Sequence, residues 1–188
     1  SLDNTGSGFS CARVFAITID SELNLNALLG ILNSSLARFY LQRNSSVKAG
    51  GYFSYSSNVL NEMPLPFKVD EGIIDQVENS CTKNKELLSI ETAFLSHLQS
   101  KFDLPKPSTK LQAWPSLDFK GFLAELKKAK VPQLGLEEEA EWMNYFNKKK
   151  AEANALQSEI DRIDKQIDQM VYALYGLTQE EIEIVENA

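Results

Sequence analysis

Residues 156–176, LQSEIDRIDKQIDQMVYALYG, contain the most regular apolar pattern in the chain. Six apolar residues recur at alternating spacings of four and three: Leu156, Ile160, Ile163, Ile167, Met170 and Leu174. We call this set the heptad stripe. Such a repeat is typical of a coiled-coil helix whose seam packs against another helix. The stripe therefore predicts a long helix, which we place at residues 136–175 and end at Gly176.

The heptad stripe needs another helix to cover its apolar side chains, either from the same chain or from outside it. Residues 71–101 show a second helical pattern of apolar residues, and Pro105 and Pro107 follow it. An intramolecular helical hairpin or bundle is one interpretation, and an interface with another part of a larger protein or with a second chain is the alternative. A shorter helix is predicted at residues 117–129. Thr178 and Glu181 form a capping box for a last helix at about 178–186.

The N-terminal part of the sequence predicts a different kind of structure. Residues 9–19 are rich in β-branched and aromatic side chains and predict a strand. The pattern from Leu23 to Leu41 predicts one amphipathic helix, and a Gly-containing segment at residues 50–57 predicts a short β element. The fold class is thus α+β and predominantly helical, with a small β element in the N-terminal half and a long heptad-patterned helix near the C-terminus.

Charge is distributed unevenly along the 188 residues, whose net charge is -7. Residues 1–68 contain five cationic groups and four carboxylates, so the remaining 120 residues carry the whole acidic excess. Residues 31–60 contain three cations and no carboxylate. Because phosphate neutralisation supplies most non-specific affinity for nucleic acid, only this N-terminal part suits a polyanionic partner. We therefore predict two functional parts, residues 1–68 and the helical scaffold of residues 69–188.

Catalytic and metal-binding patterns are not evident in the sequence. His97 is the only histidine, and the neighbouring sequence offers no second group for acid–base chemistry. Glycine-rich phosphate loops, nucleophile elbows and zinc motifs do not occur. We predict no catalytic, cofactor-binding or metal-binding residues. No apolar run approaches the roughly 20 residues of a membrane helix, which predicts a cytoplasmic protein without a membrane partner.

Residues 38–58 combine cations, hydroxyls, amides, glycines and aromatic rings. Cations bind phosphates, short polar groups read base edges, and glycines let the backbone approach a ligand closely. The composition also suits an ordinary loop. The predicted DNA-binding residues are Arg38, Arg43, Lys48, Tyr52, Ser54, Tyr55 and Asn58.

The order of three motifs resembles a known family. These motifs are LLGILNSSLARFYL at residues 28–41, GGYFSYSSNVLNEMPLP at residues 50–66 and VYALYGLTQEE at residues 171–181. Together they resemble the C-terminal specificity, or target-recognition, region of TaqI-type and type IIG bacterial restriction-modification adenine-N6 DNA methyltransferases. The Leu-Asn-Ser of residues 32–34 and the Pro-x-Pro of residues 64–66 belong to this resemblance.

This resemblance implies that the chain is a non-catalytic fragment that recognises double-stranded DNA. A methyltransferase domain of the same parent chain would bind S-adenosylmethionine and flip the target adenine. The fragment itself would need no cofactor, and its residues 1–68 would be a partial target-recognition module. The alternative function is a helical interaction module that pairs along the heptad stripe and does not contact DNA.

Overall fold

The structure is a computed structural model that describes residues 24–47, 50, 53–54, 56–66 and 68–188. These residues are predominantly helical. In chain order the elements are α1 Leu25–Asn33, α2 Ser35–Asn44, β1 Ser46–Val47, β2 Phe53–Ser54, α3 Ser57–Asn61, α4 Glu71–Phe102, α5 Thr109–Gln112, a 3₁₀ turn Trp114–Ser116, α6 Phe119–Lys128, α7 Leu136–Tyr175 and α8 Gln179–Glu186. The predicted fold class is confirmed, since a small β element accompanies a mainly helical chain.

The chain divides into two compact units. Unit 1 comprises Ser1–Ser80 and Arg162–Ala188, and unit 2 comprises Cys81–Asp161. This division does not coincide with the boundary predicted at residues 68–69. The boundary between the units lies inside α4 and α7, because each of these helices contributes residues to both units. It therefore does not fall in a connecting loop. The functional division into a recognition part and a scaffold stays a prediction.

The long helix α7 has the predicted bounds. Glu137, Glu138 and Glu139 lie in its first turn, where carboxylates stabilise the positive end of the helix dipole. Gly176 ends the helix with a φ of +68°, a conformation that glycine adopts without steric cost. The N–H of Leu177 then donates to the carbonyl of Tyr172 at 3.0 Å, which satisfies one of the last carbonyls.

The heptad stripe is covered within the chain. Its central residues Ile160, Ile163 and Ile167 are at most 6% exposed. In unit 1 the Ser80 hydroxyl of α4 donates to the Asp164 carboxylate of α7 at 3.0 Å. In unit 2 ion pairs join the same two helices, Lys83 to Glu159 at 3.2 Å and Lys101 to Glu138 at 3.1 Å. The pairing is antiparallel, and the prediction that α7 packs in a helical bundle is confirmed.

In unit 1 the core lies where α1 meets the first part of α4 and the last part of α7. Gly30 of α1 allows a close approach: an added Cβ would come within 2.7 Å of the Val77 side chain and within 3.6 Å of Ile167. The buried apolar residues of this core are Ala27, Leu28, Ile31, Ala37, Met63, Ile73, Val77, Ile163, Ile167, Val171, Tyr172 and Val185.

The single helix predicted from Leu23 to Leu41 is wrong, because Ser34 separates α1 from α2. Ser34 is extended, with ψ of 156°. Its hydroxyl donates to the Ile31 carbonyl at 2.7 Å and accepts from the Ala37 N–H at 3.2 Å. Asn24 provides the N-cap of α1. The apolar periodicity continues through the break, so the sequence pattern alone does not show it.

In unit 2 aromatic side chains form the centre of the core. Phe94 stacks on Trp114 with ring centroids 3.9 Å apart, and both side chains are fully buried. The other buried members of the cluster are Leu98, Leu104, Leu111, Phe122, Leu126, Trp142, Phe146 and Ala153. The predicted helix at 117–129 corresponds to α6, and α5 and the 3₁₀ turn precede it.

The terminal helix α8 begins as predicted. Thr178 accepts from the Glu181 N–H at 3.3 Å, and the Glu181 carboxylate accepts from the Thr178 N–H at 2.8 Å. This reciprocal capping box holds the pKa of Glu181 below its usual value, because the charged carboxylate accepts hydrogen bonds from the Thr178 backbone and hydroxyl. The strand predicted at residues 9–19 lies outside the described residues. Within the described part of the chain, no helix combines the length and apolar character of a membrane span.

Candidate nucleic-acid interface

Helix α2 carries the two predicted arginines that the structure describes. Arg38 lies in its middle and Arg43 in its last turn, and both are exposed. Within the described ranges neither arginine forms an ion pair at 4.0 Å or less with a carboxylate. The last turn of a helix favours a cation, because the carbonyl end of the dipole is negative. Both guanidinium groups can therefore meet an external anion.

Asp168 of α7 holds the first turn of α2. Its carboxylate accepts from the Ser35 N–H at 2.7 Å and from the Ser35 hydroxyl at 2.8 Å. The Arg38 guanidinium makes a long contact of 3.4 Å with the same hydroxyl. A carboxylate at a helix N-terminus satisfies free N–H groups and stabilises the dipole. The position of α2 thus depends on a residue 133 positions further along the chain.

The Arg43 guanidinium lies over the ring of Phe39, 5.2 Å from its centroid. This is within the distance at which a cation is attracted to the face of an aromatic ring. The Asn44 amide donates to the Tyr40 carbonyl at 2.8 Å and caps the end of the helix. Arg43 therefore stands at a fixed helix end, with a preferred direction for its side chain.

A two-stranded antiparallel hairpin follows α2 directly. Ser46 pairs with Ser54 and Val47 with Phe53. Gly50, in the connection between the strands, has a φ of +92°, which is the left-handed region that favours glycine. Ser54 is thereby placed in β2. The β element predicted near residues 50–57 is confirmed, although it begins earlier, at Ser46, and α3 occupies its last position.

Asn58 lies in the first turn of α3 and is exposed. Helix α3 packs against α2, so Asn58 belongs to the same compact part of unit 1 as Arg38 and Arg43. The predicted residues Lys48, Tyr52 and Tyr55 lie outside the described residues. The structure thus brings Arg38, Arg43 and Asn58 onto two neighbouring helices and places Ser54 in the hairpin between them.

Sequence reasoning missed the acidic neighbour of α2. Helix α8 packs against α2 and carries carboxylates at Glu180, Glu181, Glu183 and Glu186. Its apolar residue Val185 is 5% exposed and anchors the helix in unit 1. The capping box predicted where α8 begins, but no local pattern indicated which helix it contacts.

Tyr172 of α7 lies beneath this pair of helices and is 1% exposed. Burial raises the pKa of its hydroxyl above the usual 10.0, and the negative charges of Asp168 and, to a smaller extent, Glu186 raise it further. Ser35 and the positive charge of Arg38 act in the opposite direction. Charged groups from α2, α7 and α8 therefore all act on one hydroxyl.

We expect Tyr172 to make the protein sensitive to alkaline pH. Its pKa in the folded state lies above the unfolded value of about 10, so between these two values the unfolded chain binds fewer protons than the folded one. The free energy of unfolding must then fall as pH rises above about 10. Urea unfolding at a series of alkaline pH values should show a shallower fall for Tyr172→Phe than for the wild type. Equal slopes for the two proteins would contradict this expectation.

An apolar cavity of about 170 Å³ lies beside α2 in unit 1. The Tyr175 hydroxyl at its edge donates to the Pro64 carbonyl at 2.7 Å, and burial raises the pKa of Tyr175. The lining residues are Ile31, Ser34, Leu36, Ala37, Tyr40, Met63, Pro64, Tyr175 and Leu177. Such a lining provides shape and apolar contact but no acid–base pair.

Metal-ligating side chains do not converge in the described part of the chain. No set of three or more His, Cys, Asp and Glu side chains there is arranged to hold a metal ion. His97 is exposed and packs against the rings of Trp142 and Tyr145, with centroids 5.5 and 5.3 Å away. The imidazole therefore lies against aromatic side chains of α7.

Comparison with known protein families gives a match over the two long helices. The model of a family described as "Domain of unknown function (DUF8810)" matches residues 68–171, which is more than half of the chain. The chain belongs to the DUF8810 family. The matched residues include all of unit 2, the part of α4 that belongs to unit 1, and α7 as far as Val171. No curated protein and no solved structure shows significant similarity to the chain.

Proposed function

We propose that this DUF8810 chain is the DNA-recognition part of a bacterial restriction-modification adenine methyltransferase of the type IIG kind. In this proposal α2, the β1–β2 hairpin and α3 contact double-stranded DNA, and α4 and α7 form the supporting scaffold. The single observation that carries it is the exposure of Arg38 and Arg43 on one helix, without carboxylate partners among the described residues. The order of motifs that resembles the specificity region supports the same assignment.

The physical argument starts from the acidic composition. A chain with a net charge of -7 repels DNA on average, so any phosphate contact must come from a local group of cations. Helix α2 contains two arginines and no carboxylate, and it leads into a hairpin that turns at Gly50. Arginine binds phosphate through several donors in a planar arrangement. Short polar groups such as Asn58 then lie close enough to α2 to meet base edges.

The proposal assigns catalysis to another part of the parent protein. A methyltransferase domain of the same chain would bind S-adenosylmethionine and act on an adenine that has been turned out of the duplex. The DUF8810 chain would hold no cofactor and would be cytoplasmic, like the DNA it protects. Its contribution would be docking and the choice of sequence.

The salt dependence of binding tests this assignment. Arg38→Ala and Arg43→Ala in the parent protein should each weaken binding to every duplex, because a phosphate contact is lost whatever the sequence. Each lost contact should flatten the plot of log K against log salt by about 0.9. Asn58→Ala should instead cost about 1–3 kcal/mol on the cognate site and leave the slope unchanged. Fluorescence anisotropy with cognate and scrambled duplexes measures both quantities.

Lys106→Ala is the matched control for the arginine variants. Lys106 is exposed and belongs to unit 2, and its replacement removes one positive charge from the same protein. Its affinity and slope should stay close to those of the wild type. If Arg38→Ala and Arg43→Ala bind like Lys106→Ala in a correctly folded protein, α2 is not part of a DNA interface.

A helical interaction module is the second candidate function. One observation favours it: large apolar side chains are exposed in unit 2, with Leu136 88% and Leu88 62% accessible. The family match also runs from the start of α4 to Val171 of α7 and excludes α2. Loss of a protein partner in Leu88→Glu or Leu136→Glu, together with unchanged DNA binding in Arg43→Ala, would favour this function over DNA recognition.

A further inference from the structure

Helix α8 concentrates negative charge on one short segment. The helix comprises the eight residues Gln179–Glu186. Four of these are glutamates, and none is a lysine or an arginine. All four carboxylates are exposed. Only Glu181 has a structural role in the capping box, whereas no hydrogen bond to the Glu180 and Glu186 side chains is seen among the described residues. Their charge therefore acts mainly on the space around the helix.

This space includes helix α2, which carries Arg38 and Arg43. Helix α8 packs against α2, and Val185 fixes it in the core of unit 1. The charge of Glu186 on α8 raises the pKa of the Tyr172 hydroxyl, and the charge of Arg38 on α2 lowers it. Both charges therefore act on the same buried group. Asp168 adds a further carboxylate at the start of α2. A phosphate approaching Arg38 thus enters a region that carboxylates of α7 and α8 also affect.

We propose that the carboxylates of α8 act as an electrostatic brake that weakens sequence-independent DNA binding by α2. This inference rests on the proposed DNA-binding function and adds an opposing element to it. Sequence-independent affinity comes almost entirely from attraction between cations and phosphates. Fixed negative charges beside those cations reduce that attraction for every duplex. The time spent on random DNA is then short, and a stable complex requires base contacts in addition.

Removal of three of these charges tests the brake. The variant Glu180→Gln, Glu183→Gln, Glu186→Gln retains Glu181, so the capping box stays intact. We call it the α8-neutral variant. Each exposed charge pair is worth a factor of about 1.5 to 5 in an equilibrium constant, so the three changes together should tighten binding to a mixed-sequence duplex roughly tenfold at low salt. The slope of log K against log salt, measured between about 50 and 200 mM, should become steeper.

A control variant carries the same change in net charge in unit 2. It combines Glu91→Gln, Glu137→Gln and Glu141→Gln, three glutamates without ion pairs among the described residues of that unit. Its affinity for the mixed-sequence duplex should change by less than about twofold, because the brake depends on carboxylates of the helix that packs against α2, and none of these three glutamates belongs to unit 1. Circular dichroism of both variants confirms that the helices are retained.

The possible outcomes separate the brake from the proposed function. A tenfold gain in the α8-neutral variant alone supports the brake. Equal gains in both variants, or no gain in either, overturn it, because the position of the charges on α8 would then not matter. The proposed function is judged independently with Arg38→Ala plus Arg43→Ala in the wild-type background. If the double variant still binds DNA, α2 is not the interface. If neither the wild type nor any variant binds DNA, both the brake and the proposed function are rejected.

Discussion

Phe94→Ala is expected to lower the free energy of unfolding of unit 2 by about 4 kcal/mol, in the range for a large aromatic side chain removed from a packed core. Phe94 is fully buried, and its ring contacts aromatic side chains of three other elements of unit 2, the 3₁₀ turn, α6 and α7. The rings within 6.3 Å of it are those of Trp114, Phe122, Trp142, Tyr145 and Phe146. No single neighbour can fill the resulting cavity, because each ring is already held by others.

Urea unfolding followed by tryptophan fluorescence measures this loss directly. The chain contains two tryptophans, Trp114 and Trp142, and both belong to the core of unit 2. Thr92→Ala is the control, because Thr92 is exposed on the same helix and its replacement should change stability by no more than about 0.5 kcal/mol. A loss below about 1.5 kcal/mol for Phe94→Ala would show that the aromatic cluster is not tightly packed.

Ile163→Asp is expected to have a comparable effect on unit 1, a loss of about 3–5 kcal/mol. Ile163 is 1% exposed at the centre of the heptad stripe. Aspartate removes the buried apolar contacts of this side chain and places a charge in an apolar seam. Chemical unfolding followed by circular dichroism at the helix band is the appropriate measurement, since unit 1 contains no tryptophan among its described residues.

Gln169→Asp is the matched control for Ile163→Asp. Gln169 lies on the same helix but is exposed, so the same new carboxylate stays in water. A change of no more than about 0.5 kcal/mol is expected there. If the two aspartate variants unfold at the same denaturant concentration, the seam between α4 and α7 does not stabilise unit 1.

The sequence was sufficient to predict the long helices because their signals are local. The period of the heptad stripe, the acidic first turn and Gly176 together define α7 from Leu136 to Tyr175. The capping box likewise defines the start of α8. In each case the residues that begin or end the helix are only a few positions from the residues they satisfy, so a single sequence contains the whole signal.

The break between α1 and α2 could not be predicted in the same way. The apolar period continues across Ser34, and serine is tolerated inside a helix. In addition to the local Ser34 cap, Asp168 stabilises the new helix start, since it accepts two hydrogen bonds from Ser35 across 133 positions of sequence. The division into two units has the same character, since it depends on which parts of α4 and α7 pack with which neighbours.

The candidate site was predicted in part. Composition indicated Arg38, Arg43 and Asn58, and the structure places all three on neighbouring helices with exposed side chains. Composition could not indicate that α8 lies against α2, because charge counts along the chain treat residues 1–68 and 178–186 as separate. Whether the exposed arginines meet DNA stays a prediction that the salt dependence will test.

Unit 1 is discontinuous in sequence, and this affects how the chain can fold during synthesis. Its two parts are separated by the whole of unit 2, and Val185 and Tyr172 belong to its core. A ribosome adds about 5–20 residues per second, and domains generally fold as units once their residues have emerged. Unit 2 can therefore fold while the chain is still growing. Helix α2 can reach its folded environment only after α8 has been synthesised. Its cations thus reach their folded position only when the neighbouring carboxylates are also in place.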